Sequence, residues 1–206
     1  MRKTFFLIIC FVFLICSCDS PGGGSVFFET VEITANCEVT SMSSDIIIWK
    51  LSDPNGSYND PCDDSSIIPD VVTITIGSIV FPVIDLEEAS AVRIDNVHIV
   101  YIPADSLTPS LASRIEPLGQ IVQPDSSVGL NIKVMETKQK NDFLDDPNDF
   151  TSLITNDSYY TYNVYLTFSV VEIATDKKGE VQTSLKIQVH DFNCVDDICD
   201  DECVHP

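Results

Sequence analysis

The sequence predicts an all-β protein: an antiparallel β-sandwich of about seven or eight strands, preceded by an N-terminal signal helix. Three observations lead there. Apolar and polar residues alternate with a period of two through most of the body, the signature of a half-buried strand. The segments are separated by loops rich in Pro, Asp, Asn and Ser, with no strand–helix–strand rhythm that would build a parallel sheet. Near the C-terminus two long alternating runs flank one short turn.

From Val31 to Val39 the odd positions are Val, Ile, Ala, Cys and Val, and the even ones are Glu, Thr, Asn and Glu. This is a strand with Cys37 facing the core. Ile46 to Leu51 reads as a short strand holding the only tryptophan, Trp49. Val71 to Ile76 is another, and Ile79 to Ile84 continues it past Gly77. Val92 to Ile102 alternates, but its phase slips at Asp95-Asn96, which predicts a bulge or bend. Val128, Leu130, Ile132 and Val134 share a face.

The last pair is the clearest. Tyr160, Tyr162, Val164, Leu166, Phe168 and Val170 line one face, and Val181, Thr183, Leu185, Ile187 and Val189 line a face of the next strand. Thr175-Asp176-Lys177-Lys178-Gly179 between them makes a turn in which glycine can take positive φ. Helical signals are sparse. Thr108-Pro109 predicts a short helix to about Glu116-Pro117, with Thr as cap and Pro at the first position. Asp146-Pro147 predicts another brief turn towards Ile154.

The chain begins Met1-Arg2-Lys3-Thr4, followed by an apolar run from Phe5 to Ile15. Positive charge followed by a short apolar stretch is the layout of a secretory signal. The run is shorter than the roughly 20 residues needed to span a bilayer. It leads into Ile15-Cys16-Ser17-Cys18, which resembles the lipobox of bacterial lipoproteins. The resemblance covers the first 18 residues. It implies cleavage before Cys18 and acylation of that cysteine with chains such as palmitate, placing the protein on a bacterial cell or outer membrane with its body outside the cytoplasm. Cys16 is a rival acceptor, but bulky Ile15 precedes it where a small residue is expected. Ser20-Pro21-Gly22-Gly23-Gly24-Ser25 reads as a flexible tether. The expected organisation is therefore a signal peptide over 1–17, a lipidated cysteine and tether over 18–25, a sandwich over 26–192 and an acidic cysteine-rich tail over 193–206.

The body also resembles immunoglobulin-like and fibronectin-III-like modules, on the strength of Trp49 early in the chain and the tyrosine-rich penultimate strand. It departs from the antibody pattern because no cysteine lies in the Tyr160–Val170 run.

With 32 acidic and 11 basic residues the net charge is −21. Such a surface repels nucleic acid and anionic lipid headgroups, so nucleic acid is excluded as a partner. The expected partners are the membrane, through the lipid, and an envelope protein or glycan. Beyond the anchor stand Cys37, Cys62, Cys194, Cys199 and Cys203. Disulfides come first for an exported chain, and an odd number leaves at least one thiol over. The three tail cysteines with His205 nearby are candidates for a zinc site. Asp53, Asn55, Asp60, Asp63 and Asp64 surround a Gly turn and could offer oxygens to Ca²⁺, although the same residues suit a solvated turn. The three histidines are His98, His190 and His205. None sits in a Gly-x-Ser-x-Gly elbow or a His-Glu-x-x-His helix. The expectation is a membrane-anchored, non-catalytic binding or structural module. An exported hydrolase using acidic side chains and a divalent-metal-binding module are the alternatives.

Overall fold

The computed structural model describes residues 23–45, 48–50, 64–145 and 159–190. Eleven strands and one helix follow in the order β1 (Gly24–Phe27), β2 (Val31–Cys37), β3 (Ser41–Asp45), β4 (Ile48–Lys50), β5 (Asp64–Ser66), β6 (Asp70–Val80), β7 (Val92–Pro103), β8 (Arg114–Val122), β9 (Ser127–Met135), α1 (Thr137–Asp145), β10 (Tyr160–Glu172) and β11 (Lys178–His190). Nine of the strands form two sheets, ordered β1-β2-β6-β9 and β3-β11-β10-β7-β8, and β4 pairs with β5 alone.

The hairpin of β10 and β11 runs in continuous register from Tyr160↔Val189 to Val171↔Lys178. Every apolar position expected on its inner face is buried, from Tyr160 to Val170 on β10 and from Val181 to Val189 on β11. Across the interior, β2 contributes Val31, Ile33 and Ala35, β6 contributes Val72, Ile74 and Ile76, and β9 contributes Leu130, Ile132 and Val134. Fully burying each such aliphatic side chain is worth about 1.5–3 kcal/mol, so the facing columns hold the two sheets together. Tyr101 and Tyr162 meet edge to face at 6.4 Å in this core. Their hydroxyls donate to Val134 O and Pro109 O, each at 2.8 Å, so neither ring buries an unpaired oxygen.

The phase slip in β7 is real. Ile94 faces Val170 and Asn96 faces Ser169, leaving Asp95 as the extra residue against β10. On the other side Ile94 pairs with Gln120 and Asn96 with Pro117. There β8 absorbs the irregularity with Leu118-Gly119, and Gly119 takes φ +66°.

Several expectations need correction. The sandwich is mixed rather than purely antiparallel, because β3 runs parallel to β11, from Ser41↔Lys186 to Asp45↔His190. The chain leaves the first sheet after β2 and joins the edge of the second. The predicted helix over 108–117 is a loop followed by β8. Asp105, not Thr108, accepts the capping bonds, from the backbone N–H groups of Leu107 and Thr108, and pairing with β7 draws Arg114 onward into strand. The strand through Gly77 is unbroken but stops at Val80, because Pro82 cannot continue the ladder and Ile84 N turns back to Phe81 O. Trp49 lies on β4, outside both large sheets. The helix expected from Asp146 falls outside the described residues. An unexpected one, α1, ends just before it. Its start is capped by Gln139, whose side-chain oxygen accepts from Glu136 N at 2.8 Å, half of a capping box.

Thr183 sits on the inner face of β11, buried, and its hydroxyl finds no partner among the described residues. A buried hydroxyl without a bond is a desolvation penalty of about 1–3 kcal/mol. Thr183→Val should therefore raise the denaturation midpoint, by about 1 kcal/mol of stability, whereas Ile187→Ala two residues on should cost about 2–5 kcal/mol. Urea unfolding of the two variants checks both signs.

Candidate functional site

Of the expected site residues the structure describes few. Cys18, Cys62, Cys194, Cys199, Cys203, Asp53, Asn55, Asp60 and Asp63 lie outside the described residues, as does His205. Asp64 opens β5. Cys37 ends β2 as a half-buried free thiol packed against the core. Burial pushes its pKa up and the nearby charge of Glu38 adds to this, while a hydrogen bond involving the Val39 backbone opposes it, so thiolate is scarce at neutral pH. His98 stands on the outward face of β7 between Thr167 and Ile115. His190 ends β11 opposite Asp45. Among the described residues, Cys37 and Asp64 are the expected site residues, and they lie on different sheets. Among the described residues no group of His, Cys, Asp and Glu could hold a metal ion.

It gathers other polar groups instead. The strand directions define two ends of the sandwich. At one end stand the starts of β6, β8 and β10, the ends of β3, β7, β9 and β11, and helix α1. Here Arg114, on the edge strand β8, reaches across to the other sheet. Its guanidinium donates to Glu136 Oε1 at 2.8 Å, to Glu116, to Lys133 O and, at 3.4 Å, to the Tyr101 hydroxyl. Burial alone would lower the Arg114 pKa, but the Tyr101 and Glu116 contacts outweigh it and the net shift is upward. The planar fork ties β8, β9 and the start of α1 together in a way a lysine could not.

At the same end Lys140 points inward from α1. Its ammonium donates to Asp70 Oδ1 at 3.0 Å and to Asp45 O at 2.6 Å, and Ser44 Oγ donates to Asp70 Oδ2 at 2.5 Å. Lys140 is one helical turn from Phe143, which packs on Tyr160 at 5.8 Å, so α1 docks through one face.

The opposite end carries Glu172, fully buried. Its Oε1 accepts from Thr30 N and Oγ1, at 3.4 and 3.1 Å, and its Oε2 from Thr175 Oγ1. Thr30 Oγ1 accepts from Ser90 N at 3.0 Å. One carboxylate thereby joins the β1–β2 turn, the approach to β7 and the β10–β11 turn.

Beside Arg114 lies an open hollow of about 480 Å³, with Leu111 and Phe143 as apolar lining and Arg114, Glu136, Lys138 and Asp142 as charged lining. Its volume falls in the range of small-ligand sites. One wall is the 104–113 loop, which is held in several places: by Asp105, by Tyr162 on Pro109 O, and by Ala104 N on Thr161 O at 2.8 Å. The hollow is open to solvent and mixes apolar with charged lining. Its described lining also holds the hydroxyls of Ser110 and Ser113 but no histidine or cysteine.

Sequence reasoning passed over Arg114, Lys140, Asp70 and Glu172. One signal was available. Glu172 continues the even-numbered phase that puts Tyr160 to Val170 inside, and an acid on the apolar phase is a buried acid.

Arg114→Ala should cost about 1–3 kcal/mol, because Lys133 O and two carboxylates lose their donor, and Arg114→Lys should recover little of it. Chemical denaturation measures both. Asp105 should titrate below the ordinary 3.8, because the backbone N–H groups of Thr108 and Leu107 favour its charged form. A folded-state value depressed in this way adds stability above the unfolded pKa and loses it as pH falls through the folded one. Carboxyl NMR titration of the folded chain checks the direction.

Comparison with family models finds no match to this chain, and comparison with curated proteins finds none either.

Proposed function

We propose that the protein is a bacterial lipoprotein, held to an envelope membrane by acylated Cys18, that displays a non-catalytic β-sandwich for binding an envelope protein or glycan. The observation that carries this reading is the run from signal to fold. Arg2-Lys3, the apolar stretch to Ile15 and Cys18 come in order, and β1 starts at Gly24. The intervening residues 19–23 reach at most about 18 Å when extended. The body then stands close above the bilayer, which suits a module that works at the membrane surface.

The strand order supports an immunoglobulin-like body within this proposal. The sheet β2-β6-β9 facing β11-β10-β7-β8 follows the A-B-E against G-F-C-C′ arrangement of such modules. The transfer of the chain from β2 to β3, where it runs parallel to the last strand, places the first strand of such a fold on both sheets. The binding role is supported by how the charged groups are used. Arg114, Glu172 and the Lys140–Asp70 pair are engaged in joining elements, while the hollow at the α1 end presents its remaining charges outward.

The decisive experiment follows Cys18. Native protein should partition with membranes and yield an N-terminal peptide carrying acyl mass on Cys18. Cys18→Ala should abolish both the acyl mass and the partitioning. An N-terminus generated elsewhere, without acyl mass, overturns the proposal. For the binding role, glycan and peptide arrays should return ligands whose affinity falls with Lys138→Ala and Asp142→Ala. Ligands insensitive to both would move the binding face away from the α1 end.

A further inference from the structure

Lys140 is the best-buried cation among the described ion pairs, with its side chain 2% exposed against 14% for Asp70. The arrangement has three parts. The amine nitrogen lies 3.0 Å from one oxygen of the Asp70 carboxyl group. The other oxygen of that group accepts a 2.5 Å bond from Ser44 Oγ. The amine is aimed by a second, 2.6 Å bond to the carbonyl of Asp45. The three residues come from α1, β6 and β3, well apart in sequence, so the fold alone assembles them.

We propose that Lys140 and Asp70 condense to an amide, making this cluster the site of an intramolecular isopeptide cross-link between α1 and β6. A buried ion pair is expensive, since each charge loses several kcal/mol of hydration. Moving one proton from Nζ to the carboxylate gives a neutral amine beside a neutral carboxylic acid, the two forms that react. The nitrogen, already 3.0 Å from Oδ1, has only to swing over the carboxyl plane to reach the roughly 3–3.5 Å from the carbon at which attack begins. As the N–C bond forms, negative charge gathers on Oδ2, where the Ser44 hydroxyl is already placed to stabilise it. Oδ1, carrying the acid proton, takes a second proton from the nitrogen and leaves as water. The balance is one amine plus one carboxylic acid giving one amide plus one water, with no oxidant or activating nucleotide. Asp70 retains a little exposure, which gives the water a way out, and the dry surroundings oppose the reverse hydrolysis. The cluster works without reference to the membrane anchor or to the hollow beside Arg114.

The test is peptide mapping of the full-length, folded protein. Trypsin should leave the bond after Lys140 uncut and release the peptide containing Asp70 joined to the peptide containing Lys140, lighter than their sum by one water. Lys140→Arg, which keeps the charge but removes the primary amine, should give separate peptides of unmodified mass. Ser44→Ala should leave a fraction of chains uncoupled under conditions where the wild type is complete, since loss of one such donor slows comparable reactions about 10²–10³-fold. Cleavage after Lys140 in the folded wild-type chain, with both peptides at their sequence masses, overturns the proposal and leaves an ordinary ion pair. Complete coupling in Ser44→Ala overturns the part assigned to Ser44.

Discussion

The β10–β11 hairpin is the interaction on which the rest of this structure depends. It forms the middle of the five-stranded sheet, with β7 hydrogen-bonded along β10 and β3 along β11. Its inner face supplies Tyr162, Val164, Leu166, Phe168, Leu185 and Ile187 to the core. Because side chains alternate at every residue, a slip of one position would turn all of these to solvent. The register therefore has to be held at both extremities. The short turn over 173–177 holds one, with Lys177 O accepting from Glu172 N at 2.9 Å. The wall formed by Tyr162 and the 104–113 loop holds the other.

The buried charges follow the same logic. Each links segments that apolar packing alone would leave free to slide: Glu172 joins three turns, Arg114 the edges of both sheets, and Lys140 the helix to β6 and β3. Removing one partner of such a group strands the other without water, so the fold is narrowed to a single arrangement even where the net gain in stability is small. In a chain with 11 basic residues against 32 acidic ones, Arg114, Lys138 and Lys140 stand together at the α1 end, on the only helix among the described residues and on β8.

Most of the sandwich was legible in the sequence, because period-two alternation is a local signal. It located β2, β6, β7, β9, β10 and β11, and even the bulge at Asp95. The missed elements lack that signal. Strand β3 reads Ser-Met-Ser-Ser-Asp and exists because β11 offers an edge. Helix α1 reads Thr-Lys-Gln-Lys-Asn-Asp-Phe-Leu-Asp, mostly polar, and is held by two buried side chains, Lys140 and Phe143. Strand β8 contains Pro117 and Gly119, which argue against a strand, yet an edge strand tolerates both. The polar clusters were the least legible part. Each contains contacts between distant residues, 22 positions apart for Arg114 and Glu136, 70 for Lys140 and Asp70 and 142 for Thr30 and Glu172, and only folding brings these together. Glu172 is the exception, betrayed by its phase.

The parallel contact of β3 with β11 has a mechanical consequence. Ser41 pairs with Lys186 and Asp45 with His190, so tension drawn between the start of β3 and the end of β11 pulls the two strands past each other lengthwise. All the bonds of the contact then share the load, where an antiparallel hairpin pulled from its open end would give way one rung at a time.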